Sequence, residues 1–457
     1  MGVRSWEFGD YELPTKGEKM KKVLISMVVG IFVMGQASLV FADGYEGPGI
    51  GRRHVSMGGT GIGLADDWTA IYWNPAGLTQ LEGSGIGADL AYPIVDQYDS
   101  NSIFNGNFAD MSKDRNDVFF RVYNIPGVAV EPAQFSKTKV TSKVLLPSFG
   151  GYHKMGDWTL AGGMYVQVGS TTDWEDTVQD TVNGAEIKGS YLSELGIIVN
   201  NFSIARKILP NLSLGAGLNL LYGKTKLEVD KSYTSAALPA LNYATSAASD
   251  ADGFACEWMA GILYKVHPKL SIGGVYRSGA DIELNGSAKV NHSIVPAVNG
   301  NSNYTQSFPY ASTWGIGLAF RPIKKLLFTS DWTRTDWTKM RREFDYDSPG
   351  GALQDENYDL DWVVSDRYHF GGEYNLCDNW AVRGGFYLDP SPVPDKGASL
   401  TLIADTDSKA YTCGIGYNNK NLSIDLCYVF AEGKREADGI VYKKRVNDIG
   451  VTFTYGW

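Results

Sequence analysis

The chain has 457 residues, with 41 Lys and Arg against 51 Asp and Glu, for a formal net charge of -10. That acidic balance excludes a nucleic-acid partner, because phosphate binding needs a basic face. Gly (53), Tyr (26), Phe (19) and Trp (12) are abundant and Cys (4) is scarce, which suits many short strands with tight turns and aromatic girdles and provides no disulfide framework.

From Met20 the chain reads Lys21-Lys22, then an apolar run from Val23 to Met34, then small residues up to Ala42. A basic start, a short apolar stretch and small residues before a polar one form a secretory signal, with cleavage expected between Ala42 and Asp43. Residues 1–19, which include Pro14, read as an extension upstream of a start at Met20. After Ala42 no stretch reaches the ~18 apolar residues that a transmembrane helix requires. A secreted chain of this kind is either soluble or a closed barrel, since only helices and closed barrels satisfy their backbone groups in lipid.

Residues 43–83 do not alternate. They are Gly-rich, and they carry Gly49-Ile50-Gly51-Arg52, Asp66-Asp67 and Trp73-Asn74-Pro75-Ala76-Gly77-Leu78. Their glycines permit tight turns, and Trp68, Ile71, Tyr72 and Trp73 make them too apolar for a disordered tail. A compact hatch is expected here.

Period-two alternation then recurs to the C-terminus. The last segment is the clearest, with Ile449, Val451, Phe453, Tyr455 and Trp457 against Gly450, Thr452, Thr454 and Gly456. About fourteen strands are predicted, near 84–95, 140–153, 158–170, 190–205, 211–228, 253–266, 269–289, 305–320, 325–345, 361–374, 379–388, 409–418, 421–431 and 446–457. Short turns such as Met155-Gly156-Asp157 and Asn418-Asn419-Lys420 alternate with long polar segments at 96–139, 171–189, 229–252, 290–304, 346–360, 389–408 and 432–445. Short turns on one rim, long loops on the other and an even strand count make the pattern of an outer-membrane barrel. The expected fold is therefore all-β: a fourteen-stranded antiparallel transmembrane β-barrel over 84–457, plugged by the N-terminal hatch. It is expected to be monomeric, in a Gram-negative outer membrane, with outer-membrane lipid and lipopolysaccharide around it.

These residues carry a resemblance. Gly49-Ile50-Gly51-Arg52, the stretch from Asp66-Asp67 through Asn74-Pro75-Ala76-Gly77-Leu78, Pro147-Ser148-Phe149-Gly150, and Leu270-Ser271-Ile272-Gly273 with Tyr276-Arg277-Ser278 stand in order. Asp331-Trp332, Asp336-Trp337-Thr338-Lys339, Arg383-Gly384-Gly385 and Asp389-Pro390-Ser391-Pro392-Val393-Pro394-Asp395 follow. The set resembles the FadL/TodX-type family of outer-membrane transporters for long-chain fatty acids and aromatic hydrocarbons, across nearly all of 43–457. Two departures, Ala404 for a proline before Asp405 and Ser408 for an arginine after Asp407, put the geometry of one external loop in doubt. The resemblance implies capture of a hydrophobic small molecule in an outer groove, transfer to an inner pocket, and lateral release at a kink in the third strand.

Several residues are candidates for these steps. Leu238, Leu241 and Tyr243 in one external loop, and Ile294 and Val295 in the next, are apolar for exposed loops and are expected to form the capture groove. Alternation assigns Asp89, Glu194, Glu257, Arg277, Asp331, Arg367, Glu373, Arg383 and Asp425 to the lumen. Of these, Arg277 and Arg383 lie in the family-like motifs and could meet a carboxylate head group with two-point contacts. Pro147, Gly162 and Gly163 weaken the second and third strands and mark the expected exit. Cys413 and Cys427 fall on opposite faces, which argues against a cross-strand disulfide. No cofactor or metal spacing is present.

Two rival functions remain open on sequence grounds. An outer-membrane lipid-modifying enzyme needs a nucleophile beside a positioned base, whereas the five histidines are scattered. A general porin would show large steady conductance, which a plugged barrel would not.

Overall fold

A computed structural model describes residues 47–100, 138–180, 185–237, 239–395, 405–437 and 439–457. The expected signal segment, Leu238 and Ala404 lie outside the described residues.

The chain opens with two one-turn helices, α1 (Arg52–Val55) and α2 (Ala70–Trp73), and a 3-10 helix over Pro75–Gln80. Strands follow in order: β1 (Ser84–Asp99), β2 (Lys139–Lys143), β3 (Leu146–Met155), β4 (Trp158–Asp180), β5 (Ala185–Leu209) and β6 (Leu212–Ser235). Next come β7 (Tyr243–His267), β8 (Leu270–Arg277), β9 (Ala280–His292), β10 (Gly300–Tyr310), β11 (Ser312–Ile323) and β12 (Leu326–Asp336). The last are β13 (Arg341–Tyr346), β14 (Glu356–Asp359), β15 (Val364–Asn375), β16 (Trp380–Asp389), β17 (Ser408–Asn419), β18 (Leu422–Ala437) and β19 (Ile440–Gly456).

All pair antiparallel in one sheet, and β1 pairs with β19, Ala88 opposite Phe453, to close it. The pairs β2/β3, β8/β9, β10/β11, β12/β13 and β14/β15 are each one wall strand broken in two. The nineteen segments therefore build a closed fourteen-stranded barrel, as the alternation predicted. Both the start of β1 and the end of β19 lie at the short-turn rim, where Ser84 and Trp457 exchange backbone hydrogen bonds.

The strands run well past the predicted ends. β4 and β5 reach Asp180 and Ala185, and β6 and β7 reach Ser235 and Tyr243, so 171–189 and 229–252 are largely strand rather than loop. Much of 432–445 is strand as well. These segments read as loops because their outward side chains are polar, and polarity was the only local signal. Above the lipid the outward face meets water, so the apolar set belongs inside.

β5 shows the exchange within one unbroken strand. Near the short turns Phe202 and Ile204 point outward, Phe202 with 61% of its surface exposed, while Asn201 and Ser203 point in. Toward the long-loop rim Ile187 and Tyr191 point in, and Lys188 points out. Glu194 shares the outward parity of Phe202 and Ile204, which corrects its assignment to the lumen.

In the wall strand β8/β9 the exchange is made by a break. Ile272 faces out and Gly273 and Arg277 face in, yet beyond the break Ile282 and Leu284 face in and Asp281 and Glu283 face out. The extra residue falls at Gly279, whose φ of 65° a side chain would strain. Its neighbour strand shifts at the same level, at Ala311 between β10 and β11. Immediately below, Trp258, Tyr276 and Trp314 stack outward with centroids 5.0 and 4.5 Å apart, the arrangement of an interfacial aromatic girdle. Trp380 against Tyr417 and Tyr455 against Trp457 mark the lower girdle. The face changes where the wall leaves the lipid.

A charge placed between the girdles should be costly. Leu318→Arg, on the lipid face of β11, is expected to destabilise folding into vesicles by about 2–4 kcal/mol. Lys289→Glu, outward but above the upper girdle, should change stability by less than about 0.5 kcal/mol. Urea titration of folding into lipid vesicles measures both, and equal losses would contradict the assigned lipid band.

Candidate functional site

Residues 47–83 lie inside the barrel and are almost wholly buried. The wall receives them through its small and polar inward residues. Arg52 is the main anchor: Nε is 3.1 Å from Asp89 Oδ1 on β1, and Nη1 is 2.9 Å from Asp448 Oδ2 on β19. Arg53 donates to Glu373 of β15 at 2.9 Å and to Asp66 at 2.5 Å. The backbone N–H groups of Gly61 and Ile62 both donate to Asp331 of β12, at 2.7 and 2.8 Å. Thr412 of β17 accepts from Gly58 N and donates to Ser56 O, and Ser271 of β8 donates to Gly63 O.

The motif Asn74-Pro75-Ala76-Gly77-Leu78 docks on β6, β7 and β8. The Asn74 side chain accepts from Ala76 N at 3.1 Å, capping the 3-10 helix, and donates to Ile62 O and to Ile262 O of β7 at 2.9 and 3.0 Å. Gly215, Gly261 and Gly273 stand where it lands, and a Cβ on any of them would run into Pro75, Asn74 or Ile62. Gly77 packs as closely on Ala65. The motif is thus a packing device that lets backbone touch backbone.

His54 is fully buried in the same segment. Its Nδ1 lies 2.9 Å from Thr60 O and its Nε2 lies 3.2 Å from Asp67 Oδ2, so both ring nitrogens face acceptors. Burial acts to lower His54, but the Asp67 carboxylate raises it above the usual histidine value. Burial acts to raise Asp67, and His54 and Arg53 hold it well below the carboxylate range. His54, Asp66 and Asp67 also converge closely enough to suggest a metal site. Arg53 and Arg321 already approach Asp66, at 2.5 and 3.5 Å, so the group is an ion-pair cluster.

The two predicted head-group cations differ in availability. Arg383 is held by Glu373 at 2.8 Å and Asp425 at 2.7 Å, with Arg53 sharing Glu373. Arg277 bonds Tyr72 O, lies 4.5 Å above the Tyr72 ring and is 3.4 Å from Gln167 Oε1. No carboxylate among the described residues pairs with Arg277 within 4.0 Å, and the buried Gln167 Nε2 has no hydrogen-bond partner. Lys444, which no sequence pattern marks, has a buried Nζ without a hydrogen-bond partner among the described residues and lines a small cavity with Arg367, Tyr387 and Asp389. It falls in a segment read as loop, where parity could not be followed.

Above Arg277 the interior turns apolar. Trp174, Tyr191, Ile282, Leu284, Trp337 and Trp362 belong to one buried cluster that continues down to Tyr72 and Trp73. Among the expected groove residues, Tyr243 opens β7 and stacks on Tyr233 and on His292, with centroids 5.9 and 5.5 Å apart. Ser293 N donates to Ala244 O and Ala244 N donates to Ser293 Oγ, which joins this tip to the one carrying Ile294 and Val295. The Leu241 backbone ends a 3-10 turn at the same tip, and its side chain is outside the described residues.

At the expected exit, Gly162 and Gly163 are paired in the ladder, opposite Gly151 and Gly150. Gly163 faces Ile71 with no room for a Cβ. The interruption lies just above. The β3–β4 ladder stops at Phe149 opposite Met164, β4 carries a bulge between Val166 and Val168, and among the described residues β2 has no ladder with β4. Pro147 sits at that level. In the external loop that departs from the family pattern, Asp405 and Asp407 both accept from Ser391, and Ser408 donates to Thr406 O. Cys413 is exposed and Cys427 buried, on opposite faces.

Arg52→Leu leaves Asp89 and Asp448 buried without their cation, a loss of about 3–5 kcal/mol. The expected outcome is a barrel that still assembles, scored by heat-modifiable migration, but shows raised single-channel conductance in planar bilayers. Unchanged conductance would mean that this ion pair does not hold the inner segment.

The family described as "Outer membrane protein transport protein (OMPP1/FadL/TodX)" matches residues 46–447. Outer membrane protein P1 of Haemophilus influenzae is 23% identical, over 92% of this chain and 92% of its own length. The long-chain fatty acid transport protein of Escherichia coli K12 is 25% identical, over 85% and 86%. The crystal structure of a Pseudomonas aeruginosa FadL homologue superposes with a TM-score of 0.70 at 14% identity, covering 90% of this chain and 99% of that one. That of the Pseudomonas putida toluene transporter TodX gives 0.67 at 15% identity, with the same coverage.

Proposed function

We propose that this chain, which belongs to the outer membrane protein transport protein family (OMPP1/FadL/TodX) and forms an outer-membrane barrel, takes up long-chain fatty acids or aromatic hydrocarbons. The observation that carries the reading is the reversed interior. A diffusion porin lines its lumen with charge and water, whereas here the upper interior is aromatic and aliphatic on the inside of strands whose outside is polar. Such an interior accepts apolar cargo at ~25 cal/mol per Å² covered and rejects ions.

On this reading the joined tips bearing Tyr243, Ile294 and Val295 make the capture surface. Cargo then moves down the apolar interior until a carboxylate head meets Arg277 and the Gln167 amide. Arg383, balanced by two acids, serves the wall instead. Residues 47–83 act as the stopper, and the interrupted β3–β4 ladder is the side exit.

The enzyme reading has little support. His369 bonds Gly58 O through Nδ1, and His54 is tied to Thr60 and Asp67. His153 does meet the Ser84 hydroxyl at 2.7 Å, but the pair is exposed on the short-turn rim.

Ile282→Asp puts a charge into the apolar interior and should weaken binding of both oleate and toluene about tenfold or more, a loss of about 1.4 kcal/mol. Arg277→Leu should weaken oleate by a similar factor and leave toluene within about twofold. Quenching of intrinsic tryptophan fluorescence in the purified, heat-modifiable protein reads both. Parental affinity for both ligands in Ile282→Asp, or large steady conductance in the parent, would defeat the proposal.

A further inference from the structure

On the outward face of β17, β18, β19, β1 and β2, charged residues begin directly above a rung formed by Tyr411, Phe430, Asn447 and Ile94, with Tyr428, Ile449 and Tyr92 one rung lower. The first rung is balanced. Lys409 stands opposite Glu432, Glu432 opposite Arg445, and Arg445 opposite Asp96. The next rung is not. Lys434 stands opposite Lys443, Lys443 opposite Tyr98, and Tyr98 opposite Lys139.

Like charges placed directly opposite destabilise a sheet. Lys139 has Asp96 at 3.0 Å. Lys434 and Lys443 have no carboxylate within 4.0 Å among the described residues, and Lys443 lies 5.2 Å above the Tyr98 ring. Several cations elsewhere on the outward face above the lipid have acids: Lys188 with Glu186 at 3.0 Å, Lys226 with Glu228 at 2.8 Å, and Arg341 with Asp281 at 3.3 Å. In a chain of net charge -10, two lysines directly opposite each other with no acid within 4.0 Å among the described residues call for an anion from outside.

The same residues, with Asp407 whose carboxylate accepts from Ser391 N, line a cleft of about 580 Å³ in which cations outnumber acids. Below it, Ile94 and Asn447 and then Tyr92 and Ile449 continue the outer wall, and it lies toward the rim opposite Ser84 and Trp457. A ligand that fills it must present a doubly charged oxyanion just above its own acyl chains, in the outer leaflet. We infer that the cleft docks a phosphorylated glycolipid of that leaflet, one phosphate lying between Lys434 and Lys443 and the acyl chains lying on Tyr92 and Ile449. Two ammonium groups on neighbouring strands hold a phosphate as point charges. Tyr98 and Arg445 supply further stacking and donors at its sides. The inference rests on the outer-membrane placement of the barrel, not on its cargo.

The test uses full-length protein purified from outer membranes in mild detergent, with bis-phosphorylated lipid A and its dephosphorylated counterpart as probes. The parent should bind the phosphorylated form at least about tenfold more tightly. Lys434→Ala/Lys443→Ala should lose that preference, and Lys289→Ala, on the outward face of another sector, should keep it. Lys434→Glu, which creates an ion pair with Lys443, should raise thermal stability in glycolipid-free detergent while abolishing binding.

Retention of the phosphorylated lipid by the double variant within twofold of the parent overturns the inference. So does equal binding of the dephosphorylated form, or full competition by equimolar inorganic phosphate. Recovery of the variants as heat-modifiable barrels in the outer-membrane fraction shows that the placement itself stands. Absence of the parent from that fraction would instead remove the premise.

Discussion

Each wall strand passes through two solvents, and the period-two geometry of a strand allows only one face for each. Between the girdles the outer face meets lipid, so Phe202, Ile272 and Leu318 point outward. Above them it meets water, and the apolar residues must turn inward or be left exposed. β5 solves this by changing its sequence phase between Val199 and Phe202. β8/β9 keeps its phase and changes its backbone instead, with one residue inserted at Gly279. The chemical character of the lumen follows from this exchange. A wall that ended at the membrane surface would have no reason to build an apolar interior, whereas one that continues into water as strand has no other place for those side chains.

The lower interior obeys a different requirement. Its wall residues are small or polar because the outward positions take the apolar ones, and an empty polar lumen would admit water and ions. Residues 47–83 fill it by contributing donors and cations where the wall contributes carboxylates: Arg52 to Asp89 and Asp448, Arg53 to Glu373, and two backbone N–H groups to Asp331. Buried ion pairs of this sort add little net stability once desolvation is counted, yet breaking one is costly. They therefore fix where the segment sits more than how firmly the protein folds. The close approaches at Gly215, Gly261 and Gly273 work in the same direction, since dispersion contacts accumulate only when backbones can touch.

Much of this was legible in the sequence, because alternation and turn chemistry are local. The wall strands fell where residues such as Ile449 to Trp457 alternate, and the short turns set their lower ends. What failed was anything that depended on the solvent outside. The segments 171–180, 185–189, 229–235 and 243–252 are strand, but nothing in a polar alternation distinguishes an outer face in water from a loop. Glu194 was assigned inward by extending the alternation across a point where the apolar phase exchanges. Lys444 lies where the polar segment 432–445 gives no strand signal, so its inward direction is not visible in the sequence. The roles of Arg277 and Arg383 could not be separated either, since the acids that neutralise Arg383 come from β15 and β18, far away in the chain.

The unpaired stretch of β4 is governed by the same accounting of backbone groups. An amide or carbonyl exposed to hydrocarbon costs several kcal/mol, so a ladder cannot simply stop within the lipid band. Here the break is softened locally: Pro147 brings no N–H, and Ser142 Oγ donates to Thr171 O at 2.9 Å across the gap. Just below it the inner segment supports the wall from behind, with Trp68 against Gly87 and Gly150 and Ile71 against Gly163. The glycines therefore form a seat for α2 and its neighbours beneath the gap, and the strand interruption itself comes from the missing partner above Phe149. Trp68 and Ile71 are thus the inner side chains packed on the wall beside the gap, while Arg52 and Arg53 tie the same segment to β1, β19 and β15.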